Sequence, residues 1–307
     1  IFLALNEYPE KTVVNIKQNI LITGSSGFIG HVLMGKLQNT YNLFTPSSMK
    51  INLLEGSAEL DIYVKENAIT RIIHLANPRI YTSTKAMGYT LSMLRNVLEV
   101  CLHNSIVLIY PSGWEIYSGY RSSFLLASET LPPNPKGPYG ETKWLCEHLI
   151  NSFQKQYGLK CALLRSSPVY GAASDRPKFI WSFINSASKG MPIKTHNFFN
   201  GSPALDLLYI DDFCDAIIAI LENEFIGEMN LGTGRLLSTR EIARIICDKL
   251  SSNSPIIPVD IFAYAPNIAM DGSFAESVIG WKPFITFENG IEHLIASWKS
   301  HDGENIR

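Results

Sequence analysis

Short β-branched runs alternate with helix-length stretches through the first half of the chain. Residues 20–23 (Ile-Leu-Ile-Thr) are a continuous run that stops at Gly24, and residues 28–38 follow with apolar side chains at helical spacing. A weaker strand at 41–45 ends at Pro46, residues 61–66 read as helix, and residues 71–75 (Arg-Ile-Ile-His-Leu) are the next strand. Residues 90–103 carry an apolar stripe at Leu91, Leu94, Val97, Leu98 and Cys101, one face of a helix. Residues 106–110 are again strand, stopped by Pro111. A long helix over 139–157 ends at Gly158, the residue that most readily takes a left-handed stop, and 161–164 form another short strand. Strands that are apolar without alternation are buried on both faces, so the pattern predicts a doubly wound parallel α/β sheet.

After residue 170 the rhythm breaks. Pro and Gly become frequent, and helices at 178–188, 239–250 and 289–299 are joined by irregular segments. The expected organisation is a dinucleotide-binding unit over 18–170, a smaller substrate-binding lobe over 171–307, and an N-terminal extension of unknown role over 1–17. The segment 206–222 is expected to pack back on the first unit. A cleft between lobes is the default ligand site.

Composition narrows the function classes. Hydrophobic residues at 46% and charged residues at 18% suffice for a large core and exclude disorder. Twenty-six basic against 28 acidic residues leave a net charge of −2, so neither nucleic acid nor an anionic membrane is expected as the main partner. No apolar run approaches the ~18–20 residues that span a bilayer. The five cysteines are widely spaced with no CxxC pair, which argues against a disulfide framework or zinc site and for a reducing, cytoplasmic compartment. The apolar start Ile1-Phe2-Leu3-Ala4-Leu5 is too short for a signal peptide and lacks a basic flank. It suggests a trimmed chain or a domain cut from a longer protein.

The first strand runs directly into Gly24-Ser25-Ser26-Gly27-Phe28-Ile29-Gly30 and then a helix. Glycines here allow a sharp turn and close backbone approach to a pyrophosphate, which then sits on the helix N-terminus, where free N–H groups and the dipole favour anions. All seven residues are candidate dinucleotide contacts.

At this point the chain resembles the short-chain dehydrogenase/reductase superfamily, in its extended branch, the NAD-dependent epimerase/dehydratase family. The resemblance rests on the GxxGxxG spacing, His74-Leu75-Ala76, Tyr139-x-x-x-Lys143, Leu207 to Asp212, Asn230-Leu231-Gly232-Thr233-Gly234 and Gly280-Trp281-Lys282-Pro283, in family order over nearly the whole chain. It implies a Rossmann-type fold with a smaller C-terminal lobe and an NAD(P)-dependent oxidoreductase or epimerase. The implied substrate is a small molecule, a nucleotide-linked sugar, with Leu75 and Ala76 beside the cofactor and a homodimer left open. The second strand is followed by Ser47, Ser48 and Lys50 and has no acid before Glu55. Hydroxyls and an ammonium suit a 2′-phosphate better than a 2′-hydroxyl, so NADP is expected, with NAD as the alternative.

Tyr139 and Lys143, four apart, share one helix face. The resemblance makes Tyr139 the acid/base; a neighbouring ammonium should lower its pKa, and Lys143 should also hold the nicotinamide ribose. The family's third member, a Ser or Thr four residues before the Tyr of a Tyr-Gly pair, aligns with Gly113 when counted from Tyr117. Ser112, one residue earlier, is the candidate to reach in from a shifted turn. Glu115 stands where dehydratases of the group carry an acid, but the companion Asp is Trp114, which disfavours full 4,6-dehydratase chemistry. Glu115, Ser167 and Lys178 are candidate substrate contacts. Pro168 and Leu205 replace an Asn and an Arg that often grip nucleotide-sugars, with Lys178, Lys194 or Arg235 as possible substitutes. His74, His148 and His196 lack metal spacing, and no metal is expected. Two other readings stay open: a ketone or aldehyde reductase on a non-sugar metabolite, and a non-catalytic dinucleotide-binding sensor or scaffold.

Overall fold

A computed structural model describes residues 17–78, 83–172, 174 and 178–304, so the expected N-terminal extension lies outside the described residues except for Lys17. The first half of the chain forms β1 (Asn19–Thr23), α1 (Phe28–Leu37), β2 (Asn42–Phe44), α2 (Ala58–Glu66), β3 (Arg71–His74) and α3 (Thr84–His103). It continues with β4 (Val107–Gly113), a 3-10 turn (Trp114–Tyr117), β5 (Leu125–Ala127), α4 (Gly137–Tyr157), β6 (Cys161–Ser166) and β7 (Val169–Tyr170). Then come α5 (Lys178–Ser188), β8 (Ile193–Asn197), β9 (Ala204–Leu205), β10 (Leu208–Tyr209), α6 (Ile210–Glu222), β11 (Gly227–Leu231) and β12 (Leu237–Ser238). The chain closes with α7 (Thr239–Leu250), β13 (Ile256–Asp260), β14 (Ile268–Met270), α8 (Ser273–Ile279) and α9 (Phe287–Glu304).

Six strands make one parallel sheet in the order β11-β6-β4-β3-β1-β2. Alternate residues of each strand feed opposite layers, as the two-residue period of a strand requires. Ile20 and Ile22 pack with Leu33 of α1 and Phe213 of α6, whereas Leu21 packs with Leu94 of α3 and Ile150 of α4. The sheet is therefore the doubly wound, Rossmann-type arrangement that the unbroken apolar runs predicted. From β1 the chain winds outward to β2 and then crosses to β3 on the other side. That reversal leaves a crevice above the carboxyl ends of β1 and β3.

Several boundaries differ from the sequence reading. Helix α3 begins at Thr84 rather than 90, because Ser83 caps it by accepting from the Ala86 N–H at 3.2 Å. Strand β4 does not stop at Pro111 but continues to Gly113. The reason lies in the hydrogen-bond alternation of a parallel strand. The Val107 N–H bonds Thr70 on the β3 side and the Leu108 N–H bonds Lys160 on the β6 side, so residue 111 faces the β3 side. Pairing with β3 ends at Ile109, so the missing N–H of Pro111 falls on an open edge and costs no ladder bond. Strand β11 was not foreseen; it forms the outer edge of the sheet, so the chain returns there well after residue 170. Helix α6, within the segment 206–222, packs beside α1, with Lys36 paired to Asp215 at 2.7 Å and Asp211 at 3.3 Å. Among the described residues, no helix is long and apolar enough to cross a membrane.

Beneath the carboxyl ends of the central strands lies a buried charge cluster. Arg165 of β6 is 3% exposed and its partner Glu147 of α4 is 0% exposed. The guanidinium Nη2 and Nε reach Glu147 Oε2 at 2.9 and 3.1 Å, and Nη2 also reaches Glu228 of β11 at 2.8 Å. Nη1 donates to the Tyr117 hydroxyl at 3.2 Å and to the Glu129 carbonyl at 3.1 Å. Removing Glu147 leaves the buried Arg165 with the partly exposed Glu228 as its one remaining carboxylate partner. Glu147→Ala is therefore expected to lower unfolding free energy by about 3–5 kcal/mol, read from denaturant midpoints. The double replacement Glu147→Leu with Arg165→Met should cost less than that single change, since it removes the two buried charges together and leaves only Glu228, which is partly exposed to water.

Candidate active site

The site is assembled where β1 and β3 end. Thr23 closes β1, and its backbone carbonyl accepts from the Leu75 N–H at 3.1 Å. Its hydroxyl oxygen accepts from the Ala76 N–H at 3.2 Å and lies 2.7 Å from His74 Nδ1. Burial, then the neighbouring Lys143 charge, push the His74 pKa down to about 3, so the ring is a neutral wall. Gly24 follows at φ +69, and a Cβ there would lie 2.7 Å from the Ala76 nitrogen, so only glycine fits this turn. Helix α1 then starts from Gly27, which supplies no side-chain cap. Uncapped first-turn N–H groups and the helix dipole make this end an anion seat.

Above it opens a cleft of about 420 Å³. One wall is Gly24, Gly27, Phe28, Ile29 and Gly30; another is His74 to Pro78; the floor runs from Tyr110 to Glu115; Tyr139, Lys143 and Ser166 to Val169 complete it. A second hollow of about 200 Å³ adjoins it, sharing Gly24 and Ala76 and lined also by Thr23, Ser48, Ile51, Asn52, Leu53 and Met93.

Most of the predicted residues converge, and some do not. Gly24, Gly27, Phe28, Ile29, Gly30, Leu75 and Ala76 all line the cleft, while Ser25 and Ser26 lie in the turn outside its lining. Ser48 lines the second hollow. Ser47 and Lys50 are exposed, and the Lys50 ammonium sits 4.8 Å above the Tyr63 ring. Glu115 and Ser167 line the cleft; Lys178, at the start of α5, is exposed and does not. Arg235 faces Glu288 at 3.8 Å beside a separate hollow, and Lys194 is exposed on β8. Thr23, Tyr110, Trp114 and Phe213 were missed. Thr23 had a weak signal, as the one polar residue ending an apolar strand. Phe213 arrives from α6 and had none.

The tyrosine–lysine pair sits at the N-terminal end of α4, with Lys143 Nζ 5.8 Å from the Tyr139 ring centre and 5.2 Å from that of Tyr110. Lys143 donates to the Pro111 carbonyl at 2.9 Å, on the edge that β4 leaves open beyond β3. The expected lowering of the Tyr139 pKa is not found. Burial, then the nearby Glu115, raise it, while burial also lowers Lys143 despite Cys146, Glu115 and Glu147 opposing that shift. Desolvation disfavours the charged form of each. Ser112 also departs from expectation. It lines the cleft, but its hydroxyl donates inward to Glu147 Oε1, so its proton is not offered to the cleft.

A doubly wound sheet, a glycine turn on an uncapped helix and a tyrosine–lysine pair define a dinucleotide-dependent α/β enzyme of the extended short-chain dehydrogenase/reductase type. Residues 20–232 match the NAD dependent epimerase/dehydratase family, and the chain belongs to that family. It is 29% identical over 314 residues to a putative UDP-glucose 4-epimerase of Methanocaldococcus jannaschii, covering 92% of this chain and 99% of that protein. Its fold matches UDP-glucose 4-epimerase of Thermotoga maritima with UDP-glucose (TM-score 0.80, 22% identity, 92% and 99% covered). It equally matches RMD of Pseudomonas aeruginosa complexed with NADPH (TM-score 0.81, 19% identity, 93% and 100% covered).

The glycine turn yields a direct test. A Cβ at Gly27 would meet only the Gly24 carbonyl, at 3.2 Å, so Gly27→Leu should fold while its side chain blocks backbone approach to a pyrophosphate. The expected outcome is an unchanged circular dichroism spectrum and loss of the thermal shift that NAD or NADP gives the parent protein.

Proposed function

We propose that this protein moves hydride between a nicotinamide dinucleotide and a secondary alcohol or ketone of a nucleotide-linked sugar, as an epimerase or reductase, with Tyr139 handling the proton. The observation that carries this reading is the Tyr139–Lys143 pair facing the same cleft as the glycine turn. The cradle fits a dinucleotide: the space against Ala76 admits no Cβ at Gly24, and the uncapped end of α1 suits a pyrophosphate. Gly24, Gly27, Phe28, Ile29 and Gly30 would hold the pyrophosphate, Leu75 and Ala76 would border it, and the hollow beside Ser48 and Asn52 would take the adenosine. The bound dinucleotide supplies a hydride donor or acceptor at its nicotinamide ring.

The residues of the chain do the rest. Burial keeps Tyr139 protonated at rest, which readies it to donate to a carbonyl oxygen. In the reverse direction it must become phenolate, and the Lys143 ammonium is the cation placed to stabilise that state. Lys143 has three donors and spends one on Pro111, so the others remain for a ribose hydroxyl and the phenolate. Residues 171–307 are read as the substrate side and 18–170 as the dinucleotide side. No carboxylate lines the adenosine hollow, which supports NADP(H), with NAD(H) as the alternative. Tighter binding of NAD than NADP in calorimetry would overturn that preference.

A second reading has its own support. Pro168 lines the cleft where an amide would hold a diphosphate-sugar, and Lys178 and Arg235 lie outside its lining. A carbonyl reductase on a non-sugar metabolite accommodates this without a substitute cation. A panel of UDP-, dTDP-, GDP- and CDP-sugars against simple ketones and aldehydes separates the two. With the substrate that responds, Tyr139→Phe should keep dinucleotide affinity and lose ~10²-fold or more in turnover. Unchanged turnover in that variant would remove Tyr139 from the mechanism.

A further inference from the structure

A glycine at 113 leaves an opening in the floor of the cleft, and Glu115 fills it. A Cβ built on residue 113 would lie 2.2 Å from Glu115 Oε2 and 3.4 Å from Glu115 Cδ, with the Ser166 carbonyl behind at 3.8 Å. The carboxyl group therefore occupies the volume that any other side chain at 113 would claim. Helix α4 is pressed onto the turn that carries Glu115, since a Cβ on Gly140 would lie 2.6 Å from the Glu115 carbonyl. Gly140 adjoins Tyr139, so this close seat brings the phenol and the Glu115 carboxyl to the same part of the cleft, where both line it with Lys143. Ser112, which shares the floor of the cleft with Gly113, directs its proton to Glu147.

We infer that Glu115 is the second hydrogen-bond donor of the active site: its carboxyl group, seated in the space left by Gly113, holds the substrate oxygen that exchanges a proton with Tyr139. The inference rests on the acid/base reading of Tyr139. Donation requires the protonated acid, and the surroundings favour it. Burial raises the Glu115 pKa against the opposing pull of its own backbone N–H and of Lys143. An ionised Glu115 would also oppose phenolate formation at Tyr139 by like-charge repulsion. No bond is made or broken at Glu115. It shares its proton with the substrate oxygen and strengthens that hydrogen bond as negative charge develops there. The titratable groups that act on it are Tyr139 and Lys143 of α4. As pH rises through its raised pKa the donor becomes a carboxylate, so turnover should fall on the alkaline side.

Two readouts test this, one of them independent of substrate. An infrared difference spectrum, parent minus Glu115→Gln, should show a protonated-carboxyl stretch that persists above the pH at which a free carboxylic acid loses it and then fades as pH rises; absence of that band overturns the inference. The second readout is reduction of bound NADP or NAD by UDP-glucose. Glu115→Ala should slow it by ~10²–10³-fold, as loss of one such donor does. Glu115→Gln, which keeps a neutral donor, should stay within about tenfold of the parent and lose the alkaline limb that Glu115 sets. Added to the Glu115→Ala variant, Gly113→Ser should restore at least ~10-fold by placing a hydroxyl in the vacated space. Calorimetric dinucleotide affinity serves as the folding control. A Glu115→Ala variant at the parent rate overturns the inference while leaving Tyr139 in place. If neither UDP-glucose nor the wider substrate panel reduces the cofactor in the parent protein, the functional reading itself fails, and the infrared band alone decides the state of Glu115.

Discussion

A guanidinium sealed from water must keep its carboxylate partners, and in this protein that constraint positions the chemistry. Arg165 joins β6 to α4 through Glu147, to β11 through Glu228 and to the 3-10 turn through Tyr117. Helix α4 bears Tyr139 and Lys143, and the turn bears Glu115. The two elements that furnish the site are thus fastened to one cation beneath it, which limits how far they can separate. The same cluster claims the hydroxyl of Ser112. A side chain whose neighbours in sequence suggest a catalytic donor becomes part of the scaffold, because the buried Glu147 carboxyl, already bonded to Arg165 through one oxygen, satisfies the other with the Ser112 hydroxyl.

The cleft itself follows from strand length and alternation. Strand β3 stops at His74 while β4 runs on past its end, and the stretch of β4 without a β3 neighbour forms the floor. Pro111 fits there because its nitrogen faces the gap, and its carbonyl, free of any ladder partner on that side, is what anchors Lys143. A residue that reads as a strand breaker thereby supplies a fixed acceptor for the ammonium.

Burial also sets the resting protonation of the site. His74, Tyr139 and Glu115 are each pushed toward their neutral forms, and Lys143 is pushed the same way against nearby acids. Desolvation acts on every buried group of the cleft, whereas attraction between Tyr139 and Lys143 requires both to be charged at once.

Local pattern sufficed for whatever depends on neighbours in the chain. The unbroken apolar runs of β1, β3 and β6 required a sheet covered on both faces, the glycine turn required a backbone cradle at α1, and Tyr139 with Lys143 had to share a helix face four residues apart. These follow from strand and helix periodicity and from the absence of a Cβ, which are properties of short segments. The strand β11, the partner of Ser112, the raised Tyr139 pKa and the seating of Glu115 over Gly113 were not legible. Each depends on which distant segment lies alongside: Glu147 for Ser112, Ser166 and Gly140 for Glu115, Phe213 for the cleft wall. Desolvation and hydrogen-bond competition are settled by the enclosed surroundings of a group. Only the packing of α4 and the 3-10 turn onto the central strands created those surroundings.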